Sequence, residues 1–331
     1  MNPDLDPGLA STILSQTGAS EIASVSTIQD LWSGYGKILR IHLAGGSRKS
    51  LVAKQIRFPS QNDHPRGWNS DFAHQRKVKS YEVETEWYRH WAHRCLGNCR
   101  IPEFLGFFSL EHCDLLLLED LDDAGFPKRR SQLSRSEIAP CLEWLARFHA
   151  CFLSSVPEGL WKTGTYWHLE TRPDEWRAIK ESSLKQSAAA IDQQLSRARF
   201  LTLVHGDAKL ANFCFSPNGD QVAMVDFQYV GGGCGMKDVA YFLGSCLAEE
   251  ECEKWESSLL QIYFDEFRKS VREHHPKIDP EEIVREWTSL FPVAWTDFHR
   301  FLMGWCPDHW KVNRYSLRLA KQVTDRLLPA P

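Results

Sequence analysis

The chain has 331 residues, 39 basic against 43 acidic, giving a formal net charge of −4. With 43% hydrophobic and 25% charged residues it lacks the composition of a disordered chain, and its overall sign does not suit a protein drawn to nucleic acid by phosphate neutralisation. No apolar run approaches the ~18 residues of a spanning helix; the densest, Leu115 to Leu118, stops at Glu119 and Asp120.

Three short apolar runs, Ile28 to Trp32, Lys37 to Leu43 and Ser50 to Phe58, are separated by Ser33-Gly34-Tyr35-Gly36 and Ala44-Gly45-Gly46-Ser47. Glycine-centred turns between such runs predict an antiparallel meander. Residues 59–71 are polar and turn-rich and read as a loop, and a helix is expected over Tyr81 to Arg94. Phe104 to Phe108 and Leu115 to Leu118 complete an expected five-stranded sheet with one helix inserted after its third strand. Ser134-Arg135-Ser136-Glu137 is a capping box opening a helix that carries Ile138, Leu142, Leu145 and Phe148, although Pro140 could delay its start. One helix is expected over 174–197, a β-rich island over 201–225 with Asn218-Gly219 in its turn, and helices from Lys237 onward. This divides the chain into a β-rich lobe (1–118), a hinge (119–122) and a larger helical lobe (123–331).

The ten cysteines are scattered, and Met1-Asn2-Pro3-Asp4 offers neither a basic nor an apolar leader region. Reduced thiols and a cytoplasmic location are therefore expected. His90, His93, Cys95 and Cys99 lack the paired spacing of a zinc site and read as a helix end with core thiols.

Chemistry concentrates in the β-rich island, in His205-Gly206-Asp207-Ala208-Lys209-Leu210-Ala211-Asn212 and Val225-Asp226-Phe227-Gln228. A hairpin between these stretches would bring Asn212 and Asp226 to neighbouring strand ends. Their oxygens could then share a magnesium ion, a hard cation that binds through one or two carboxylates plus substrate phosphates. Asp207, set apart from that pair, is placed to accept a proton from an attacking hydroxyl.

These strings resemble the kinase-like phosphotransferases, the superfamily of protein kinases, aminoglycoside phosphotransferases and choline kinases. Gly206 and Gln228 are similar to the small-molecule branch. The H-G-D box, the D-F-Q tripeptide and Asp238-Val239-Ala240-Tyr241 most resemble the ecdysteroid-kinase-like group, with Lys209 standing where that group commonly has Trp. The resemblance implies an α+β, protein-kinase-like bilobal fold and transfer of a phosphoryl group from ATP, with Mg2+, to a hydroxyl of a small molecule. It implies Asp207 as base, Lys209 on the transferring group, Asn212 and Asp226 on the metal, and Lys54 on the nucleotide phosphates. Glu84 is the preferred partner of Lys54, with Glu82 and Glu86 as rivals. Ser33, Gly34 and Gly36 would cover the phosphates, and Glu119 and Leu121 would meet the adenine through main-chain groups. Asp238 either holds the catalytic loop or caps the next helix, and His205 and His149 are scaffold. No A-P-E motif follows Asp226, which argues against a protein acceptor; no nucleic acid and no membrane span are expected, and oligomeric state is not legible. A nucleotide-binding pseudokinase is the alternative. The stripe Trp295, Phe298, Leu302 and Trp305 is either core or an aromatic acceptor wall, with Asp297 as a charge partner for a cationic acceptor.

Overall fold

Alternation along the strands builds the smaller lobe. The computed structural model describes residues 7–31, 34–57, 71–95 and 99–328. Strands β1 (Glu21–Asp30), β2 (Gly36–Ala44), β3 (Ser50–Ile56), β4 (Phe104–Ser109) and β5 (Asp114–Glu119) form one antiparallel sheet in the order β1-β2-β3-β5-β4. Successive side chains point to opposite faces, so the leucines of β5 divide between two cores. Leu115 and Leu117 pack with Leu9 and Ile13 of α1 (Pro7–Thr17), whereas Leu116 and Leu118 face the main core. Lys54 pairs with Leu116 in register and so stands on that inner face.

Helix α1 is a second helix of this lobe, beyond the one expected. Its signals are local: Pro7 opens it, and Gly18 closes it with φ +67° and an N–H bonded to the Leu14 carbonyl at 2.9 Å. The inserted helix α2 runs Asp71–Glu86 and continues through a π turn (Trp87–Trp91) and a 3-10 turn (Ala92–Cys95), starting ten residues before the expected Tyr81. Its first half shows no apolar period because polar side chains (His74, Arg76, Lys77) line a cleft instead of packing in a core. The loop expected at 59–71 lies outside the described residues except for Asp71, where α2 already begins.

The larger lobe is mainly helical. Helix α3 (Arg135–Cys151) begins directly at the capping box, with the Ser134 N–H donating to Glu137 Oε2 at 3.0 Å, and Pro140 lies within it without delaying its start. The helix expected over 174–197 is two, α4 (Pro173–Ala178) and α5 (Ser182–Ser196), because Ile179 turns extended and is buried between them. Short strands β6 (Thr202–Val204) and β9 (Gly231–Gly233) pair, as do β7 (Phe213–Phe215) and β8 (Val222–Met224), the expected hairpin. Helices α6 (Met236–Cys246), α7 (Glu249–His274), α8 (Pro280–Trp305) and α9 (Arg314–Leu327) follow, with α7 packed on α3 and α8 on α5, α6 and α9. No helix among the described residues is long and apolar enough to cross a membrane. All ten cysteines are free thiols; Cys95 and Cys99 are buried while His90 and His93 face solvent, so the four do not converge.

Candidate functional site

Between the lobes lies a cleft of about 940 Å³, and Lys54, Glu84, Asp207, Lys209, Asn212 and Asp226 meet there. Lys54 enters from β3 and Glu84 from α2, with Nζ and Oε2 2.6 Å apart; both side chains are buried. Burial alone would lower the Lys54 ammonium, but Glu84 and then Asp226 outweigh it and hold the group charged, above its ordinary value. Among the rivals, Glu82 pairs with Lys79 and Glu86 approaches His90, so neither reaches Lys54.

The loop that carries Asp207 is held from beneath. Asp238 accepts the His205 N–H at 2.6 Å on one oxygen and the Gly206 N–H at 2.9 Å on the other, and it meets His149 Nε2 at 3.1 Å. Asp238 thus holds the loop, and His149 passes the tie on to the Tyr263 hydroxyl at 2.9 Å. His205 is buried and scaffold: its Nε2 meets the Val225 carbonyl at 3.1 Å while Nδ1 accepts the Asp207 N–H at 3.2 Å. Both nitrogens are committed, and burial lowers its basicity. Glycine at 206 has a steric reason: φ is +80°, and a Cβ would lie 2.1 Å from the Tyr229 carbonyl oxygen.

This anchoring aims Asp207. Its Oδ2 accepts from Lys209 Nζ at 2.7 Å and from Asn212 Nδ2 at 3.1 Å, whereas Oδ1, though buried, accepts no hydrogen bond from the described residues. One carboxylate oxygen is thus held by two donors, and Tyr241 approaches the same carboxylate. The hairpin does bring Asn212 and Asp226 together, through the Val225 N–H to the Asn212 carbonyl at 3.1 Å. Asp226 adopts φ +71°, a strained conformation for a non-glycine residue that recurs at functional sites. Burial would raise its pKa, but Lys54, Lys209 and Lys77 lower it further than burial raises it, so it stays ionised. Its Oδ1 lies 3.7 Å from Lys54 Nζ and is bonded to no donor among the described residues. Asn212 turns its side-chain nitrogen to Asp207, so the side-chain oxygen is the atom of that amide not committed to Asp207. A buried, unsatisfied carboxylate oxygen beside that amide oxygen is a donor set that fits magnesium.

Phe227, next to Asp226, stacks on Trp87 at 4.6 Å and 9° and meets His205 edge-on. Gln228 Oε1 then accepts from Lys77 Nζ at 2.8 Å and Ser80 Oγ at 3.2 Å, tying the stretch after Asp226 to α2. The sequence reading missed Lys77. It lies on one helical face with Tyr81 and Glu84 (i, i+4, i+7), a stripe visible only if α2 is begun at Asp71.

The remaining expected residues divide. Glu119 and Leu121 line the cleft at the hinge; the Glu119 side chain is itself engaged with Arg100 at 2.7 Å. From the glycine turn, Tyr35 lines the cleft while Gly34 and Gly36 do not, and Ser33 lies outside the described residues. Gly36 is needed for strand contact, since a Cβ there would sit 1.9 Å from the Gln55 carbonyl oxygen. Asp297 does not offer a charge to an acceptor: it is wholly buried against Arg300 (2.9 Å), Lys237 (3.4 Å) and the Trp167 indole N–H (3.1 Å). The stripe on α8 is split, with Trp295 packed on Tyr315 in the core and Phe298, Leu302 and Trp305 on the cleft wall.

Residues 161–275 match the model of the ecdysteroid kinase-like family. The microcompartment-associated aminopropanol kinase superposes with a TM-score of 0.50 at 13% identity, covering 96% of this chain and 95% of that one. A choline kinase from Streptococcus pneumoniae aligns with a TM-score of 0.46 at 14% identity over 96% of each chain. A curated relative, acyl-CoA dehydrogenase family member 10 of Mus musculus, is 30% identical over 163 residues, which is 46% of this chain but only 15% of that protein. The segment that carries the H-G-D and D-F-Q strings thus resembles the ecdysteroid kinase-like family, and the two-lobed fold around it is similar to that of the aminopropanol kinase.

Proposed function

We propose that the protein transfers the γ-phosphoryl group of ATP to a hydroxyl of a small molecule, with Mg2+ as cofactor. The observation that carries this reading is the convergence of a buried Lys54–Glu84 pair, the half-satisfied Asp207 and the Asn212–Asp226 pair on one cleft. Magnesium would be held by Asn212 and Asp226 and would neutralise phosphate charge. Lys54, kept protonated by its two carboxylates, binds the phosphates and fixes the donor's position. Asp207 receives the acceptor hydroxyl on Oδ1 and takes its proton as the oxygen attacks. Lys209, held protonated against burial by Asp207 and Asp226, is placed to follow the transferring group. Catalysis of this kind rests on position and charge rather than on covalent chemistry. The absence of an A-P-E segment in the sequence favours a small acceptor over a protein, and the scattered thiols favour the cytoplasm.

The test is transfer of label from γ-labelled ATP to a library of hydroxylated metabolites, run with and without magnesium. Asp207→Asn should bind ATP but lose at least about a hundredfold in turnover, the range general-base catalysis supplies. Nucleotide binding without transfer to any acceptor would sink the enzymatic reading and leave a regulatory nucleotide-binding protein.

A further inference from the structure

The helical-lobe walls of the cleft are aromatic, and a cation already stands among them. Lys311 Nζ lies 4.8 Å from the Tyr241 ring centroid, 5.3 Å from Phe298 and 5.6 Å from Trp310. Three aromatic faces around one point form the kind of site that captures ammonium ligands. Here the chain's own ammonium takes that place. The carboxylate whose charge reaches it is Asp207, which is already bonded to Lys209. Burial pulls the Lys311 amine down to about 8, so it is a cation without an adequate counter-charge.

The surrounding wall has the same bias. Arg172 lies over Tyr166 and Phe301, 5.7 and 5.4 Å from their centroids, and is paired with the buried Glu175 at 3.1 Å. Arg76 donates to the Thr171 carbonyl at 2.8 Å, and burial together with Arg172 lowers it to about 10. Against these cations, the carboxylates that line the cleft among the described residues are Glu84, Glu119, Asp120, Asp207 and Asp226, each of which belongs to the proposed nucleotide or catalytic machinery or to the stretch joining the lobes. Asp297, the one acid the sequence offered for a cationic acceptor, is buried and neutralised. A cationic acceptor would thus meet an occupied aromatic box and an excess of positive charge.

We propose that the acceptor is an anion: a hydroxylated compound with a flat apolar body, which packs on Phe298 and Trp305, and a carboxylate or sulfonate group that pairs with Lys311. This rests on the phosphotransferase reading for the hydroxyl but not for the charge, because the charge is read from the wall alone. Lys311 is then a specificity residue, and its aromatic box serves to position its ammonium.

The experiment uses the full chain saturated with a non-hydrolysable ATP analogue and magnesium, titrated with matched probes and followed by tryptophan fluorescence. The probes are 4-(hydroxymethyl)benzoate, the corresponding sulfonate, the neutral methyl ester of the benzoate, and 4-(aminomethyl)benzyl alcohol. At least one of the two anions should bind ten times or more as tightly as the amine and more tightly than the ester. Comparing the two anions identifies the headgroup. Lys311→Glu should reverse the order of anion and amine, and Lys311→Met should abolish the preference while leaving ester binding within about twofold. Equal binding of all probes, preference for the amine, a preference unchanged by Lys311→Glu, or no binding would each overturn the proposal. The same probes are then offered with γ-labelled ATP. Selective anion binding without transfer would uphold the charge inference and count against the phosphotransferase reading, so the two fail separately.

Discussion

Lys54 and Glu84 show what a single buried pair does here. Each is nearly inaccessible to solvent, and each would be costly alone, since an unpaired charge in low dielectric has lost its hydration. Glu84→Leu should therefore lower the unfolding free energy by about 3–5 kcal/mol, whereas Lys54→Met with Glu84→Leu should recover most of that loss. Urea denaturation of the two variants checks this; equal destabilisation by the single and the double change would show that the pair is not coupled. On the proposed function both variants should lose ATP-dependent activity, since Lys54 would bind the phosphates. Tryptophan behaves differently at this scale. Of the indoles described, Trp305 and Trp310 line the cleft, Trp87 buttresses Phe227, and Trp144, Trp167 and Trp287 donate to Arg100, Asp297 and Phe200 from buried positions. Composition alone could not separate these roles, because an indole serves a core and a wall equally well.

At the level of elements, the loop that carries Asp207 owes its shape to α6, which follows it in the chain. The first turn of α6 presents Asp238 to two consecutive backbone N–H groups, and His149 of α3 closes the arrangement from the other side. Asp238→Asn keeps the shape but turns an amide nitrogen toward a donor. A buried donor without a partner costs about 1–3 kcal/mol, so thermal denaturation should register that loss. Turnover should fall with it, as Asp207 loses its aim, while ATP affinity should change little because Lys54 and Glu84 are untouched. Unchanged stability and turnover would reduce Asp238 to a helix-capping residue. The H-G-D and D-F-Q strings were legible in the sequence because strand–turn–strand spacing places them locally. Helix α2 was not: its inward face carries His74, Arg76 and Lys77 toward a cleft, and a polar buried face leaves no hydrophobic period to read.

Across the whole molecule the lobes are joined at the hinge by more than the chain. Arg40 of β2 reaches Asp120 Oδ2 at 2.6 Å and also meets Asp122, while Ser50 of β3 donates to Asp120 at 2.7 Å and to Asp123 at 2.6 Å. Burial would raise the Asp120 pKa, but the bonds from Arg40, Ser50 and the Asp122 N–H lower it further. Its folded pKa is therefore below the unfolded value of 3.8, so its contribution is complete above pH 3.8 and is lost as pH falls through the folded value. Asp120→Asn should cost about 1.5–3 kcal/mol at pH 7, the range for hydrogen bonds to a charged group, and the gap from the native chain should narrow below pH 3.8. Melting curves from pH 3 to 7 measure it; a gap independent of pH would show that the carboxylate charge is not what holds the hinge.

The sequence by itself determined the five-stranded sheet and the β7–β8 hairpin, since β alternation and turn spacing act over a few residues and carry Lys54, Asn212 and Asp226 to predictable strand ends. Only the tertiary structure decided which of several glutamates meets Lys54, that Asp238 holds the loop, that Asp297 is neutralised, and what the helical-lobe wall of the cleft contains. That wall is assembled from Arg76, Tyr166, Arg172, Tyr241, the inner face of α8 and Lys311. These stretches lie far apart in the chain, so their shared surface and its charge arise from packing, and no local pattern records them.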